Sequence, residues 1–413
     1  MIIGKPVASI GVVVLRSGEW RRLLLFDIPN IDLAGAFFLS TRKIILFSVM
    51  AALAVSSSLW TGHKGTPSGD LAAFEGRTLP CRTTDPPGIG VEWVETADAS
   101  DREALAIGCT SVGPVVVREF AGGDSLPMLD SLVVVTWNTH VGGGDVISFV
   151  GRVRDGEFTG GRRPEHFVLL LQEVFRAGPE VPVGASAELV PARIAETPPS
   201  GERIDIVETA RRLELNLFYV PSMKNGVAKP GEVEEDRGNA ILSTFRLRDL
   251  TAIELPLERY RRVAIAVTAR GVTSSGSPWT LRVCNVHLDT RSDFPRVLES
   301  VGMGRLRQAR AIVPVVPEKD VVLGGDFNTW GPSPTEGAID YLLEQFPQSG
   351  ELDHEPTVSI AVLPDRRTDY LFFRLSGERS ARYHRLDDRM GSDHYPLLGV
   401  IQLTSREHGR SSN

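Results

Sequence analysis

From Leu132 to Leu403 the chain alternates short, nearly unbroken apolar runs with stretches of helical periodicity. The runs 132–137 (LVVVTW), 167–172 (FVLLLQ), 215–220 (LNLFYV), 239–243 (NAILS), 262–268 (RVAIAVT), 279–287 (WTLRVCNVH), 320–324 (DVVLG), 368–373 (TDYLFF) and 397–402 (LLGVIQ) predict strands. Runs of this kind suit strands buried on both faces, because successive side chains point to opposite sides of a sheet. Between them, 202–213 gathers Ile204, Ile206, Val207 and Ala210 on one face, and 303–313 does so with Leu306, Ala309 and Ile312, which predicts helices. Strands alternating with helices predict an α/β domain in which helices cover sheets.

A different pattern precedes this domain. Arg42 and Lys43 lead into IILFSVMAALAVSSSLW, residues 44–60, which carry no charge. That length is near the lower limit of a membrane span, roughly 17 residues at about 1.5 Å rise each. Its apolar centre, Ile44 to Val55, also suits the core of a signal peptide. Arg16, Arg21, Arg22, Arg42 and Lys43 all precede it, a bias that puts the C-terminal bulk outside the cytoplasm. A buried core helix is the alternative. The expected organisation is an N-terminal head over 1–43 (cytoplasmic, or lying upstream of the true start), and an anchor or signal over 44–60. A linker and small extension over 61–125 follow, then the main domain over 126–405 and a polar tail over 406–413. The expected place of work is extracytoplasmic, beside the membrane or released from it.

Composition changes this picture little. A chain that is 42% hydrophobic and 23% charged can bury a large core. The net charge of −7 argues against a protein that coats nucleic acid, yet leaves room for a local basic groove. Cys284 lies in an apolar strand and reads as a small buried hydrophobe. Cys81 and Cys109 could pair if the chain is exported; the sequence leaves this open. No cysteine or histidine spacing suggests zinc.

The chemistry lies where apolar runs end. Asn138 closes the first predicted strand, and Gln172 with Glu173 the second; Asn285, His287 and Asp289 cluster at one end of a later strand. Asp326 and Asn328 follow VVLGG, Asp369 opens TDYLFF, and Ser392, Asp393 and His394 precede the last strand. Apolar strands that deliver carboxylates and imidazoles at their ends are how α/β enzymes build sites. Any one of these residues alone would read as a turn or a strand cap.

Taken in order, TWN (136–138), LLLQEV (170–174, with the preceding leucine), GNAILS (238–243), NVHLDT (285–290), GGDFNT (324–329), TDYLFF (368–373) and GSDHYPL (391–397) resemble the endonuclease/exonuclease/phosphatase superfamily. The resemblance implies a four-layer α/β sandwich, with two packed mixed β-sheets and helices outside. It implies a phosphoester hydrolase that uses Mg²⁺ or Mn²⁺, since a hard cation held by oxygen ligands neutralises charge on the reacting phosphate. By the same resemblance Glu173 is the main metal ligand, Asn138 sits beside it on metal or phosphate, and Asp393 completes the shell. Asp326 activates the attacking water, Asn328 donates to the phosphoryl group, and His394, oriented by Asp369, donates to a phosphate oxygen. His287 faces the leaving group or phosphate as a candidate general acid. Asn239 is a candidate substrate contact, as is Arg237 beside it. Asn285 and Asp289 read as loop supports. Gly142 to Gly144 read as a flexible loop or a phosphate cradle, and Arg305, Arg307 and Arg310 as a solvated helix face or phosphate contacts. His140 reads as an ordinary residue. The expected state is a monomer. The substrate stays open between nucleic acid, phospholipid headgroup (as in sphingomyelinase-like enzymes) and small phosphate ester. An inactive binding protein of the same fold is the other class of reading, and the completeness of the residue set argues against it.

Overall fold

The computed structural model describes residues 79–404 apart from 97, 99–100, 123–124, 185–189, 291–301, 330–335, 350–354, 360–364 and 378. The expected N-terminal helix at 44–60, the head before it and the tail 406–413 lie outside the described residues. Among the described residues no helix is long and apolar enough to cross a membrane.

The strands are β1 (Thr84–Asp85), β2 (Glu92–Glu95), β3 (Val115–Arg118), β4 (Ser131–Asn138), β5 (Phe167–Ala177), β6 (Asn216–Lys224), β7 (Glu235–Ser243), β8 (Arg248–Glu254), β9 (Val263–Val272), β10 (Pro278–His287), β11 (Val321–Asp326), β12 (Asp369–Arg374), β13 (Ser380–Arg385) and β14 (Leu397–Gln402). The helices are α1 (Arg102–Thr110), α2 (Val146–Arg154), α3 (Ile206–Leu213), α4 (Met303–Ile312) and α5 (Gly337–Gln345). The strands form an eight-stranded sheet, β1-β3-β6-β7-β5-β4-β14-β13, and a six-stranded sheet, β12-β11-β10-β9-β8-β2. Both are mixed: β4 runs parallel to β5 and antiparallel to β14, while β10 runs parallel to β11 and antiparallel to β9.

The period of two along each strand sorts the side chains into layers. Leu132 and Val134 of β4 join Val168, Leu170, Ile241, Val283, Val322, Leu371 and Leu397 in a core between the sheets. Their neighbours Val133, Val135 and Trp137 point the other way, onto Phe149 and Val153 of α2 and Ala210 of α3. On the far side, Cys284, Val286 and Leu323 pack with Ala309 and Ile312 of α4 and Leu342 of α5. Helices, sheet, sheet, helices: the expected four-layer sandwich is present. Gly324 belongs to the close approach of the sheets, since a Cβ there would stand 2.7 Å from Leu371 and 2.8 Å from Leu170.

The segment ahead of the main domain is woven into both sheets. β1 and β3 extend the eight-stranded sheet, and β2 pairs with β8 at the edge of the other. Cys81 and Cys109 form a disulfide that ties a short 3-10 turn (Pro80–Arg82) to α1, which answers the question the sequence left open. The crosslink spans 28 residues, for which chain entropy alone gives about 3–4 kcal/mol. Cys81→Ser/Cys109→Ser is therefore expected to lower unfolding stability by roughly that amount. Denaturant unfolding with an unchanged midpoint would show the crosslink idle.

Candidate active site

At one end of the sandwich the inner-facing rows turn from apolar to polar. On β4 the row runs Leu132, Val134, Thr136, Asn138; on β5 it runs Val168, Leu170, Gln172; on β10, Leu281, Val283, Asn285, His287; on β11, Val322, Gly324, Asp326. β12 runs antiparallel to β11 and starts at the same end with Asp369 opposite Asp326. β14, antiparallel to β4, is preceded there by Asp393 and His394. Strand direction and alternation together bring residues scattered over 250 positions to one mouth.

Asp326 is its centre. It is buried, its Oδ2 accepts from Asn138 Nδ2 at 2.9 Å and its Oδ1 from the Asn328 backbone N–H at 2.8 Å. His287 Nε2 lies 3.5 Å and His394 Nε2 3.8 Å from Oδ2. Burial pushes the Asp326 carboxyl up to about 7, helped by Asp369 and opposed by His394 and the two hydrogen bonds. His394 Nδ1 is 2.8 Å from Asp369 Oδ2, which also accepts from Thr368 Oγ1. Burial works against charge on this imidazole, yet the carboxylates of Asp369, Asp326 and Asp393 outweigh it and raise His394 to about 10. His394 is therefore an imidazolium at neutral pH.

His287 is the opposite case. Burial first, then the charges of Arg262, His394 and Arg237, hold it well below the ordinary histidine value, so it is neutral. Arg262 Nη1 lies 3.1 Å from His287 Nδ1. A guanidinium can only donate, so Nδ1 accepts and the proton sits on Nε2, facing Asp326. Glu173 Oε1 is 3.9 Å from the same Nε2. Glu173 has φ of 50° and sits where the β5–β7 register shifts between Leu171 and Val174. This bulge turns the carboxylate out of the sheet and into the mouth. Asp393 Oδ1 stands 3.9 Å from His394 Nε2 and 3.7 Å from His140 Nδ1.

The remaining expected residues hold these in place. Asn138 Oδ1 also accepts from the His140 backbone N–H, and the Asn138 carbonyl from Ser392 Oγ. Asn328 donates Nδ2 to the Leu288 carbonyl at 2.8 Å and remains part-exposed. Asn239 is buried and donates across the gap to the Val263 carbonyl. Asn285 bridges the sheets by donating to the Leu171 and Ala240 carbonyls while accepting from Gln172. Asp289 accepts from the backbone N–H groups of Arg259 and Tyr260, which fixes the turn that carries Arg262.

Four readings of the sequence need correction. The 142–144 glycines are a packing requirement: a Cβ on Gly144 would stand 2.6 Å from the Trp137 ring, and one on Gly142 2.9 Å from Arg203. Arg305 does not lie on a solvated face; it is buried against Glu336 and donates to the Thr290 carbonyl. His140 is at the rim beside Asp393, and Arg262 in the site was read as merely the first residue of a strand.

Oxygen donors are plentiful on the Glu173 side. Glu173 and Asp326 converge on one imidazole N–H, with Asn138 between strands and Asp393 opposite. This all-oxygen set fits a hard divalent cation. Among the described residues, the ligand atoms that lie within 4.8 Å of one another are those of Asp326, Asp369 and His394. In that group His394 Nδ1 and Asp369 Oδ2 are already joined to each other.

A buried carboxylate between a neutral and a charged imidazole, at the mouth of a two-sheet sandwich, is the equipment of a hydrolytic enzyme. The profile of the Endonuclease/Exonuclease/phosphatase family matches residues 135–394, and the chain belongs to that family of phosphoester hydrolases. No curated protein matches the chain. Among solved structures, an endonuclease/exonuclease/phosphatase family protein from Leptotrichia buccalis C-1013-b is 14% identical, with TM-score 0.42, covering 65% of this chain and 99% of its own. The AP endonuclease LMAP from Leishmania major is 11% identical, with TM-score 0.37, covering 74% and 99%. Cytolethal distending toxin from Actinobacillus actinomycetemcomitans is 16% identical, with TM-score 0.33, covering 66% and 98%.

Proposed function

We propose that the chain is an exported, divalent-metal-dependent phosphodiesterase or phosphatase in which Asp326 activates water against a phosphoester. The observation that carries the reading is the placement of the Asp326 carboxylate within 4 Å of two imidazole Nε2 atoms in opposite charge states. Burial gives Asp326 enough basicity to take a proton from water near neutral pH. The His394 imidazolium, steered by Asp369, donates to a non-bridging phosphate oxygen as negative charge builds there. His287, neutral and with its proton on Nε2, acts as a hydrogen-bond donor to phosphate or leaving oxygen, not as a charged acid. Asn138 holds Asp326 in orientation, and the part-exposed Asn328 has a second amide hydrogen to offer the phosphoryl group. Glu173, Asn138 and Asp393 would hold Mg²⁺ or Mn²⁺, which when bound supplies positive charge to the phosphate oxygens.

Export is supported by the charge-flanked apolar run 44–60 and by the Cys81–Cys109 disulfide, a bond that persists in oxidising compartments. The full chain is expected to hydrolyse bis-p-nitrophenyl phosphate with Mg²⁺ or Mn²⁺, to stop in EDTA, and to recover when the cation is restored. Undiminished turnover in EDTA would remove the metal from the proposal. Protease digestion of intact cells carrying a C-terminally tagged chain is expected to destroy or shorten the tagged protein; full protection would place it in the cytoplasm.

A further inference from the structure

The turn between β8 and β9, residues 255–262, is gripped by the segment ahead of the main domain. The Glu254 carbonyl at its start accepts from the Thr96 backbone N–H at 3.3 Å and from Thr96 Oγ1 at 2.6 Å. Asp101 Oδ2 accepts from the Leu257 backbone N–H at 3.2 Å. Near its end Arg261 is buried beneath the disulfide, its Nη2 3.4 Å from Cys81 Sγ. Gly108 of α1 rests on the arginine stem, where a Cβ would stand 3.1 Å from Arg261 Cδ. The Arg261 Nε lies 2.7 Å from Glu254 Oε1, Nη2 donates to Oε2 at 3.0 Å, and Nη1 donates to the Pro221 carbonyl at 2.9 Å. A buried ion pair stabilises a fold little compared with apolar residues of the same volume, so its use is sought in the geometry it fixes.

Arg262, the next residue, points the other way, toward the site. Its Nη1 lies 3.1 Å from His287 Nδ1, and its carbonyl accepts from the Leu255 backbone N–H at 3.0 Å, which closes the turn. Asp289 holds the opposite side of the turn through the Arg259 and Tyr260 N–H groups. The path from disulfide to active site is therefore Cys81, Arg261, Arg262, His287, and its middle link is one peptide bond. A displaced Arg261 carries the backbone of Arg262 with it. A contact at 3.1 Å stops being a hydrogen bond after a shift of about half an ångström.

We propose that the segment 79–118, closed by the Cys81–Cys109 disulfide, is a clamp on the active site, with Arg261 as a positioning residue that acts through Arg262 on His287. This rests on the hydrolytic reading of that site. The clamp keeps the His287 proton on Nε2, the nitrogen that faces Asp326. It also makes full activity conditional on the crosslink. When the disulfide closes, the two thiols give two electrons and two protons to a disulfide oxidant, which leaves as a dithiol. The new S–S bond ties the Pro80–Arg82 turn to α1 over Arg261. Cys81, Cys109 and Val112 form a cluster of their own, apart from the cores that hold the sandwich together. The chain with both thiols free therefore keeps its two sheets and hydrolyses slowly.

The test compares the full-length wild type with Cys81→Ser/Cys109→Ser and with Arg261→Met/Glu254→Met, each shown by circular dichroism to be folded at the assay temperature. The second pair removes both buried charges together, so neither is left unpaired. Gly108→Val, which crowds Arg261 and leaves the charges alone, takes its place if that pair does not fold. On bis-p-nitrophenyl phosphate with Mg²⁺, each is expected to lose about 10- to 100-fold in kcat with KM little changed. Arg262→Gln is expected to cost no more when combined with either pair than it does alone, because the clamp acts through Arg262. Histidine-selective ¹⁵N NMR of metal-free protein gives a readout that lost stability does not move. The His287 proton is expected on Nε2 in the wild type and shared between Nδ1 and Nε2 in the folded variants. Wild-type kcat, an unchanged His287 tautomer, or losses that add fully to that of Arg262→Gln would overturn the clamp. If the wild type cleaves no phosphodiester, the hydrolytic reading falls, and the tautomer still decides the clamp.

Discussion

Asp326→Asn is expected to lower kcat by about 10³- to 10⁴-fold while leaving the fold in place. The substitution keeps the side-chain volume and removes the one group positioned to take a proton from water. The fold should tolerate it because burial costs this carboxylate more than the His394 charge and its hydrogen bonds return. Burial raises its pKa to about 7 from the ordinary 3.8, so the native state binds this proton more tightly than the unfolded chain. Its contribution to stability is therefore fully present below the unfolded value and lost as pH rises through about 7. At pH 8 the amide escapes the cost of the buried charge but can accept only one of the two hydrogen bonds, so its stability should stay within about 1–2 kcal/mol of the wild type. The same shift sets the acid limb of the wild-type pH profile. Activity needs the ionised carboxylate, so kcat/KM is expected to rise with pH through a limb at or below about 7. A cation bound beside Asp326 favours the carboxylate and moves the limb downward. Turnover by Asp326→Asn near the wild-type level, with or without a shifted limb, would take Asp326 out of the chemistry.

Much of this site was legible because two sequence signals coincide. Nearly unbroken apolar runs fixed nine of the strands, and the polar residues at their ends fell on inner-facing positions by the period of two. Asn138, His287, Asp326 and Asp369 all follow from that rule once strand directions are known. Glu173 does not: the period places Gln172 inward, and only the bulge at φ 50° returns the next residue to the mouth. β13 escaped notice because it is an edge strand whose residues alternate between exposed and half-buried, without an apolar run. β8 (RDLTAIE) starts polar, and its buried stretch from Leu250 to Glu254 is broken by Thr251 and Glu254, so no apolar run marks it. Arg262 was hidden for a different reason. A cation opening a strand ordinarily faces water, and its burial here depends on the turn that Asp289 ties down, a contact made across 30 positions of chain. The inter-sheet bridge of Gln172 and Asn285 is likewise tertiary: each looks like a strand-end polar residue until the two sheets are laid face to face.

His394→Ala is expected to cost about 10³-fold in kcat, since it removes the charged donor aimed at the phosphate. Asp369→Asn acts on the same chemistry at one remove. Asp369 is the largest of the charges that hold His394 at about 10 against its burial. With the amide in its place burial meets less opposition and the His394 pKa falls, so the imidazolium is lost at lower pH. The alkaline limb of the wild-type profile is expected near or above pH 10, and in Asp369→Asn it should move toward neutrality. Measured below the new limb, Asp369→Asn should retain far more activity than His394→Ala, because the charged donor is still there when protonated. The two substitutions should also fail to add. Once His394 is alanine, Asp369 has no ring to orient, so the double variant is expected to be no slower than His394→Ala alone. Full additivity, or an alkaline limb that stays where the wild type has it, would mean that Asp369 acts on something other than His394. That outcome would reopen the cation position among Asp326, Asp369 and His394, whose ligand atoms are close enough to share one.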